Sequence, residues 1–117
     1  MDFERLKLEV YSILRRLYYV ERKVVKSIDD NTTILFTDNT NIYFVSCPSG
    51  NVLIVLPSVD NMEGKALTFK KTDNVNVVNI QPIESSTIDG NLTYTLSTQY
   101  EVVTIIPDGT NCYIISN

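Results

Sequence analysis

The chain has 117 residues, of which 44% are hydrophobic and 21% are charged, and its formal net charge is −4. This length fits one compact domain with an extension, not two full domains. The chain contains no histidine, which removes the commonest general base and the commonest metal ligand. No apolar run reaches the roughly 18 residues of a membrane-spanning helix, and the first residues, MDFERLKLEV, lack the apolar core of a signal peptide.

The charge is divided unevenly along the chain. Residues 1–28 carry seven Lys or Arg against four Asp or Glu, a balance of +3, and residues 29–117 carry three against ten, a balance of −7. A basic segment followed by an acidic one predicts that the two ends meet different partners. Because the acidic part lacks cations that would neutralise phosphates, we expect no nucleic-acid partner.

Seven apolar residues at the start follow the 3-4 spacing of a coiled coil. The a positions hold Phe3, Val10, Leu17 and Val24, and the d positions hold Leu6, Ile13 and Val20. This seam predicts a helix from about Asp2 to about Ser27 that requires partner helices. Isoleucine and valine at d favour three or four helices over two, so we predict a parallel homotrimer, with a tetramer as the alternative. Packing of the seam on the chain's own following domain also stays open.

The composition changes after the predicted helix. Thr, Asn, Val and Ile dominate, and short β-branched or aromatic runs alternate with turn residues every 8–12 positions, which is typical of a sandwich or barrel. The runs are Thr32–Phe36, Ile42–Cys47, Asn51–Leu56, Lys65–Lys71, Val75–Ile80, Asn91–Leu96, Val102–Ile106 and Cys112–Ser116. Asp89-Gly90 and Asp108-Gly109 suit turns with positive φ, so hairpins should dominate. We therefore predict a mainly β chain: a coiled-coil trimerisation stem (residues 1–28) followed by an antiparallel β-sandwich or jelly-roll-like head (residues 29–117).

The head shows no catalytic constellation. Asp73, Asp89 and Asp108 lie in predicted turns, where an aspartate usually accepts hydrogen bonds from the backbone, although calcium binding is an alternative. Cys47 and Cys112 have no metal-ligand spacing, and we expect free, buried thiols, with a disulfide as the alternative. We predict no enzymatic activity, no cofactor and no metal site.

Four segments occur in a recognisable order: Gly50–Ser58, Gly64–Lys71, Ile88–Gly90 and Ile106–Tyr113. In this order they resemble a β module that is widespread in viral fibre and tail proteins. In that module a Leu-Pro strand leads to a Gly-Lys hairpin, and an Ile-Asp-Gly turn and a Ser-Asp-Gly-Thr-Asn-Trp turn follow. Pro107 and Cys112 stand where the module has serine and tryptophan.

The resemblance implies a trimeric appendage on the virion surface. Its expected partners are a capsid or tail protein at the stem end and a host-surface glycan or protein at the head, with no insertion into a membrane. Two other functions stay open at this point: a capsid cement protein, and a trimeric carbohydrate-binding module. In the last case Tyr94, Tyr100 and Tyr113 are the candidate ligand-contact aromatics.

Overall fold

The computed structural model of the protein describes residues 4–10, 24–35, 37–58, 64–83 and 85–117. Residues 4–10 are helical, and the rest of the described chain is mainly β, as predicted. The strands are β1 (Val25–Ile28), β2 (Thr32–Thr33), β3 (Ile42–Val45), β4 (Val52–Val55), β5 (Leu67–Lys71), β6 (Val78–Gln81), β7 (Tyr94–Leu96), β8 (Val102–Pro107) and β9 (Cys112–Ser116). Each of the eight predicted runs overlaps one of the strands β2 to β9, and β6 and β8 extend one residue beyond their runs.

The predicted end of the stem helix is wrong. Residues 25–28 form β1, which pairs with β3 in parallel and places Ile28 in the core. The heptad spacing extends to Val24, but Val24, Val25 and Ile28 are β-branched residues, which pack well on a pleated sheet. Pairing with β3 therefore overrides the helical pattern, and β1 adds four residues to the β head.

The chain alternates between two sheets. The five-stranded sheet has the order β1-β3-β5-β8-β9, and the four-stranded sheet has the order β2-β4-β6-β7. The first six strands therefore make three turns of a coil, in which each turn adds one strand to each sheet. β7 then pairs with β6 in antiparallel fashion, and β8 and β9 complete the larger sheet in the same way.

The prediction of antiparallel sheets is wrong for the coil. β1, β3 and β5 are parallel to one another, and so are β2, β4 and β6. The reason lies in the order of the strands, because each strand from β1 to β5 is followed in the sequence by a strand of the opposite sheet. The hairpin predicted at Asp108-Gly109 is confirmed: it joins β8 to β9, and Gly109 has a φ of 97°.

One apolar core lies between the sheets and takes residues from both. Tyr43 of β3 stacks on Phe69 of β5 with ring centroids 5.1 Å apart and an interplanar angle of 14°. Ile54 of β4 and Ile80 of β6 are fully buried on the other side. Since the inward side chains are used by this core, contacts with other molecules must be made by the outward sides of the sheets, the turns and the stem.

Candidate interaction surface

The outward side of the five-stranded sheet, called the outer face below, carries apolar side chains. On β3, Tyr43 and Val45 are buried, so alternation along the strand turns Ile42 and Phe44 away from the core. The outward residues of the other strands are those that lie in register with Ile42 and Phe44 from strand to strand. The residues of the outer face are Val25, Ser27, Ile42, Phe44, Thr68, Lys70, Val102, Thr104, Ile106 and Tyr113.

Several apolar members of the outer face are open to solvent. Val25 is 50% exposed, Phe44 is 39% exposed and Tyr113 is 44% exposed. None of the five strands contains Asp or Glu, although the head contains ten of these residues. Lys70 is the charged member of the face, and its Nζ lies 5.5 Å from the ring centroid of Tyr100. The outer face is therefore apolar and free of carboxylates on an acidic head.

The outward side of the four-stranded sheet is more polar. It carries Thr33, Leu53, Val55, Asn79, Gln81 and Thr95, of which the two apolar residues of β4 are half-buried. Thr95 Oγ1 donates a hydrogen bond of 2.8 Å to Asn79 Oδ1. Thr33 and Gln81 are exposed. On β6 and β7 the inward side is apolar, and the outward side holds Asn, Gln and Thr.

The described part of the stem leaves its apolar residues uncovered. Leu6 is 40% exposed and Val10 is 48% exposed on the helix of residues 4–10. Phe3, Ile13, Leu17 and Val20, the other seam residues that precede Val24, lie outside the described residues. Where the structure describes the seam, the chain's own head does not bury it.

Val24 joins the stem to the outer face. Its carbonyl oxygen accepts hydrogen bonds from the backbone N–H of Asn41 at 3.0 Å and of Ile42 at 3.2 Å. Val25, the next residue, already belongs to the outer face. The last residue of the heptad seam therefore lies beside the first residues of β1 and β3.

The three candidate ligand-contact tyrosines do not form one platform. Tyr94 lies on β7 in the four-stranded sheet and packs against the core. Tyr100 is exposed in the turn before β8, with a φ of 68°. Tyr113 opposes Ile106, which is four residues beyond Val102, so at least about 13 Å of strand separates it from the Tyr100 turn.

The two Asp-Gly segments of the resemblance lie against each other. The N–H of Asp89 donates to the carbonyl of Cys112 at 3.0 Å, and the N–H of Ile114 donates to Asp89 Oδ1 at 3.0 Å. The N–H of Thr87 donates to Asn111 Oδ1 at 2.9 Å. These contacts hold the segment before Gly90 along the start of β9. The side chains of Asp89 and Asn111 are therefore used within the fold.

Asp108 accepts backbone hydrogen bonds, as predicted for the turn aspartates. Its Oδ1 accepts the N–H groups of Thr110 and Asn111, each at 2.9 Å. Because these bonds favour the charged form, they lower the pKa of Asp108 below its usual value. The interpretation of an aspartate that caps its own turn is confirmed for Asp108, whereas Asp73 and Asp89 accept the N–H groups of Cys47 and Ile114, which are distant in the sequence.

A fully buried lysine ties two turns together at the end of β5. Lys71 Nζ donates to Asp73 Oδ1 at 2.6 Å, to the Asp73 carbonyl at 2.9 Å and to the Val75 carbonyl at 2.8 Å. Asp73 Oδ2 accepts the N–H of Cys47 at 2.7 Å, and Asn76 Nδ2 donates to the Cys47 carbonyl at 2.7 Å. This cluster, the Lys71 network, fastens the turn after β5 to the turn after β3.

The sequence contains a signal for this network, but the positive charge of Lys71 makes the residue look like an exposed one. Leu67 and Phe69 point into the core, and a period of two puts Lys71 on the same side of β5. A lysine in that position needs a nearby acceptor, and Asp73 follows two residues later. Lys70, its neighbour, points outward and shows the ordinary behaviour of a strand lysine.

Both cysteines are free and buried, as predicted. Cys47 Sγ donates to the Val77 carbonyl at 3.6 Å, whereas Cys112 opposes Pro107 in the β8–β9 pair. Burial raises the pKa of both thiols, that of Cys112 to about 11. Neither thiol is activated as a nucleophile, because activation requires a lowered pKa.

Comparisons with known proteins do not add a family to this description. No protein-family model matches the chain, and no curated protein matches it. Among the described residues, no three His, Cys, Asp or Glu side chains are grouped so that they could hold a metal ion. In the same part of the chain, no helix is both long and apolar enough to cross a membrane.

Proposed function

We propose that the protein is a structural virion protein that forms a short trimeric fibre or spike on a capsid or tail and contributes to host attachment. The carrying observation is the heptad seam, of which the described members Leu6, Val10 and Val24 are all exposed in the single chain. Such a stripe is stabilised when other helices cover it. A capsid or tail protein holds the stem end, and the acidic head points outward.

The organisation of the head supports this proposal. The turn carboxylates of Asp89 and Asp108 accept hydrogen bonds within the fold, and the thiols of both cysteines are buried. The head can therefore contact other molecules through the side chains of its surface, and neither of its thiols is exposed for a reaction. The order of the four segments that resembles viral fibre modules points to the same class of protein. Three heads on one stem would also multiply weak contacts with a host surface.

The first experiment measures the mass of the purified full chain. Multi-angle light scattering should give about three times the protomer mass of 13.3 kDa. A monomer at micromolar concentration contradicts the proposal. A tetramer agrees with a coiled-coil stem but means that the stem has four helices instead of three.

The second experiment tests which part attaches to the particle. Residues 1–23 should be removed, because a longer deletion would take Val24 and β1 out of the five-stranded sheet. We expect the truncated protein to keep a β-type circular dichroism spectrum and to be lost from particles. Particles that carry it at normal copy number would show that the head makes the anchoring contact, and would favour a capsid cement protein instead.

A further inference from the structure

We infer that the β1–β3 end of the outer face packs against second copies of this chain, so that the trimer contact continues from the stem into the head. This inference rests on the trimer proposed above and names the surface that the heads use. It is carried by the juxtaposition of the seam residue Val24 with the exposed apolar residues Val25 and Phe44.

The junction limits how far this part of the head can lie from the trimer axis. Helices in a bundle pack with their axes about 10 Å apart, so in the proposed trimer the helix axes lie about 6 Å from the trimer axis, and Val24 is where each chain leaves its stem. Val24 is bonded to Asn41 and Ile42, which begin β3. Phe44 is two residues further along the strand, or about 7 Å. The other two copies are therefore the nearest macromolecules to this end of the outer face.

The chemistry of the outer face fits a self-contact. Register places Val25 beside Ile42 and Ser27 beside Phe44, which makes a mostly apolar patch with one small hydroxyl. The absence of Asp and Glu from all five strands matters here, because each head has a balance of −7 and three heads on one axis repel one another. An approach through this face keeps carboxylates out of the contact.

The other sheet is a poorer self-contact surface. Its outward side exposes Thr33 and Gln81, and its Thr95 hydroxyl already donates a hydrogen bond to Asn79. Burying that side would remove water from polar groups without supplying new partners. The four-stranded sheet is thus the side that faces solvent.

The test uses the full chain and two matched substitutions. Ser27→Asp adds a carboxylate to the outer face without removing apolar packing, and Thr33→Asp adds one to the edge strand of the other sheet. Both residues are exposed on edge strands, and Ser27→Asn controls for size. Sedimentation equilibrium gives the concentration at which each trimer is half-dissociated. We expect Ser27→Asp to raise it at least tenfold and the other two variants to leave it within twofold.

The outcomes separate this inference from the proposal on which it rests. A wild-type monomer overturns both. A wild-type trimer in which Ser27→Asp and Thr33→Asp dissociate alike, while circular dichroism shows intact β structure, overturns the outer-face contact and leaves the stem trimer standing. If Ser27→Asp loses its β structure, the variant Phe44→Ser is used instead, because it removes a partly exposed ring from the outer face without adding a charge. Association that is tenfold weaker, with intact β structure by circular dichroism, supports the contact, and unchanged association overturns it.

Discussion

Replacing Lys71 by methionine should destabilise the head strongly, because this side chain is wholly buried and all three of its Nζ hydrogens are used. Methionine fills much of the same space but supplies no donor. The Asp73 carboxylate would keep the Cys47 N–H and lose its partner cation. The carbonyls of Asp73 and Val75 would lose a charged donor as well.

The magnitude follows from those three bonds. Hydrogen bonds to charged groups contribute roughly 1.5–3 kcal/mol each, which sets an upper range of about 5–9 kcal/mol. The real loss is smaller, because Val75 is exposed and its carbonyl can bind water, and because the methionine restores apolar packing. Breaking a buried ion pair from one side typically costs about 3–5 kcal/mol. We expect a loss of about 3 kcal/mol, equivalent to a fall of about 2 M in the urea midpoint.

Urea unfolding at a fixed protein concentration, followed by circular dichroism, measures this loss. Lys70→Met is the matched control, since it makes the same change one residue earlier on the opposite side of β5. Lys70 lies over the exposed Tyr100 ring, so its replacement should change the free energy of unfolding by less than about 1 kcal/mol. Equal midpoints for the two variants would refute the reasoning about the Lys71 network.

The same variant changes the acid sensitivity of the protein. The hydrogen bond from Lys71, followed by that from the Cys47 N–H, lowers the pKa of Asp73 below its usual value of 3.8. A carboxyl group whose pKa is lower in the folded protein than in the unfolded chain stabilises the folded state. This stabilisation is complete at pH values above the unfolded pKa, and it is lost as the pH falls through the folded pKa. Wild-type stability should therefore fall below about pH 4, and Lys71→Met should show a shallower fall when unfolding is measured from pH 5 to pH 3.

Four further predictions concern the stem, the thiols and two turns. Ile13→Asp would put one carboxylate per helix into the stem seam, and light scattering should then find monomers; a stable trimer would show that the heads suffice for assembly. Cys47 and Cys112 should react with a thiol reagent slowly until urea unfolds the protein, and rapid labelling of the native form would contradict their burial. Asp108→Ala should lower the urea midpoint more than Asp108→Asn, which keeps an oxygen acceptor for the turn. Gly90→Ala should cost about 1 kcal/mol, because φ is +82° there while no atom lies within 4 Å of the added Cβ; an unchanged midpoint would show that the turn relaxes.

Local features of the fold were predictable from the sequence. The eight β runs follow from β-branched residues between turn clusters, and Asp89 and Gly90 have the positive φ values that their turn requires. The direction of strand pairing was not predictable in this way. Alternation along β3 or β5 shows which side is buried, but it contains no information on whether the next connection returns to the same sheet or crosses to the other.

The candidate surface was predictable only in part. The stem seam is visible as a spacing, whereas β1 was hidden because Val24, the residue directly before it, still fits the heptad. Lys71 was missed because its charge outweighed its position in the alternation of β5. The outer face depends on register between strands that are far apart in the sequence, such as Ser27 beside Phe44, and no local pattern encodes that pairing.

The coil has one end that can lengthen and one that cannot. β1 and β2 are edge strands of the two sheets at the start of the coil, so a further turn of about twenty residues inserted before Val25 could pair with both and leave the existing core untouched. At the other end β7 and β8 run against the direction of the coil and stop its repetition. Related heads of different length should therefore vary at the junction with the stem, and the short β2 limits unwanted pairing of the open edge with other chains.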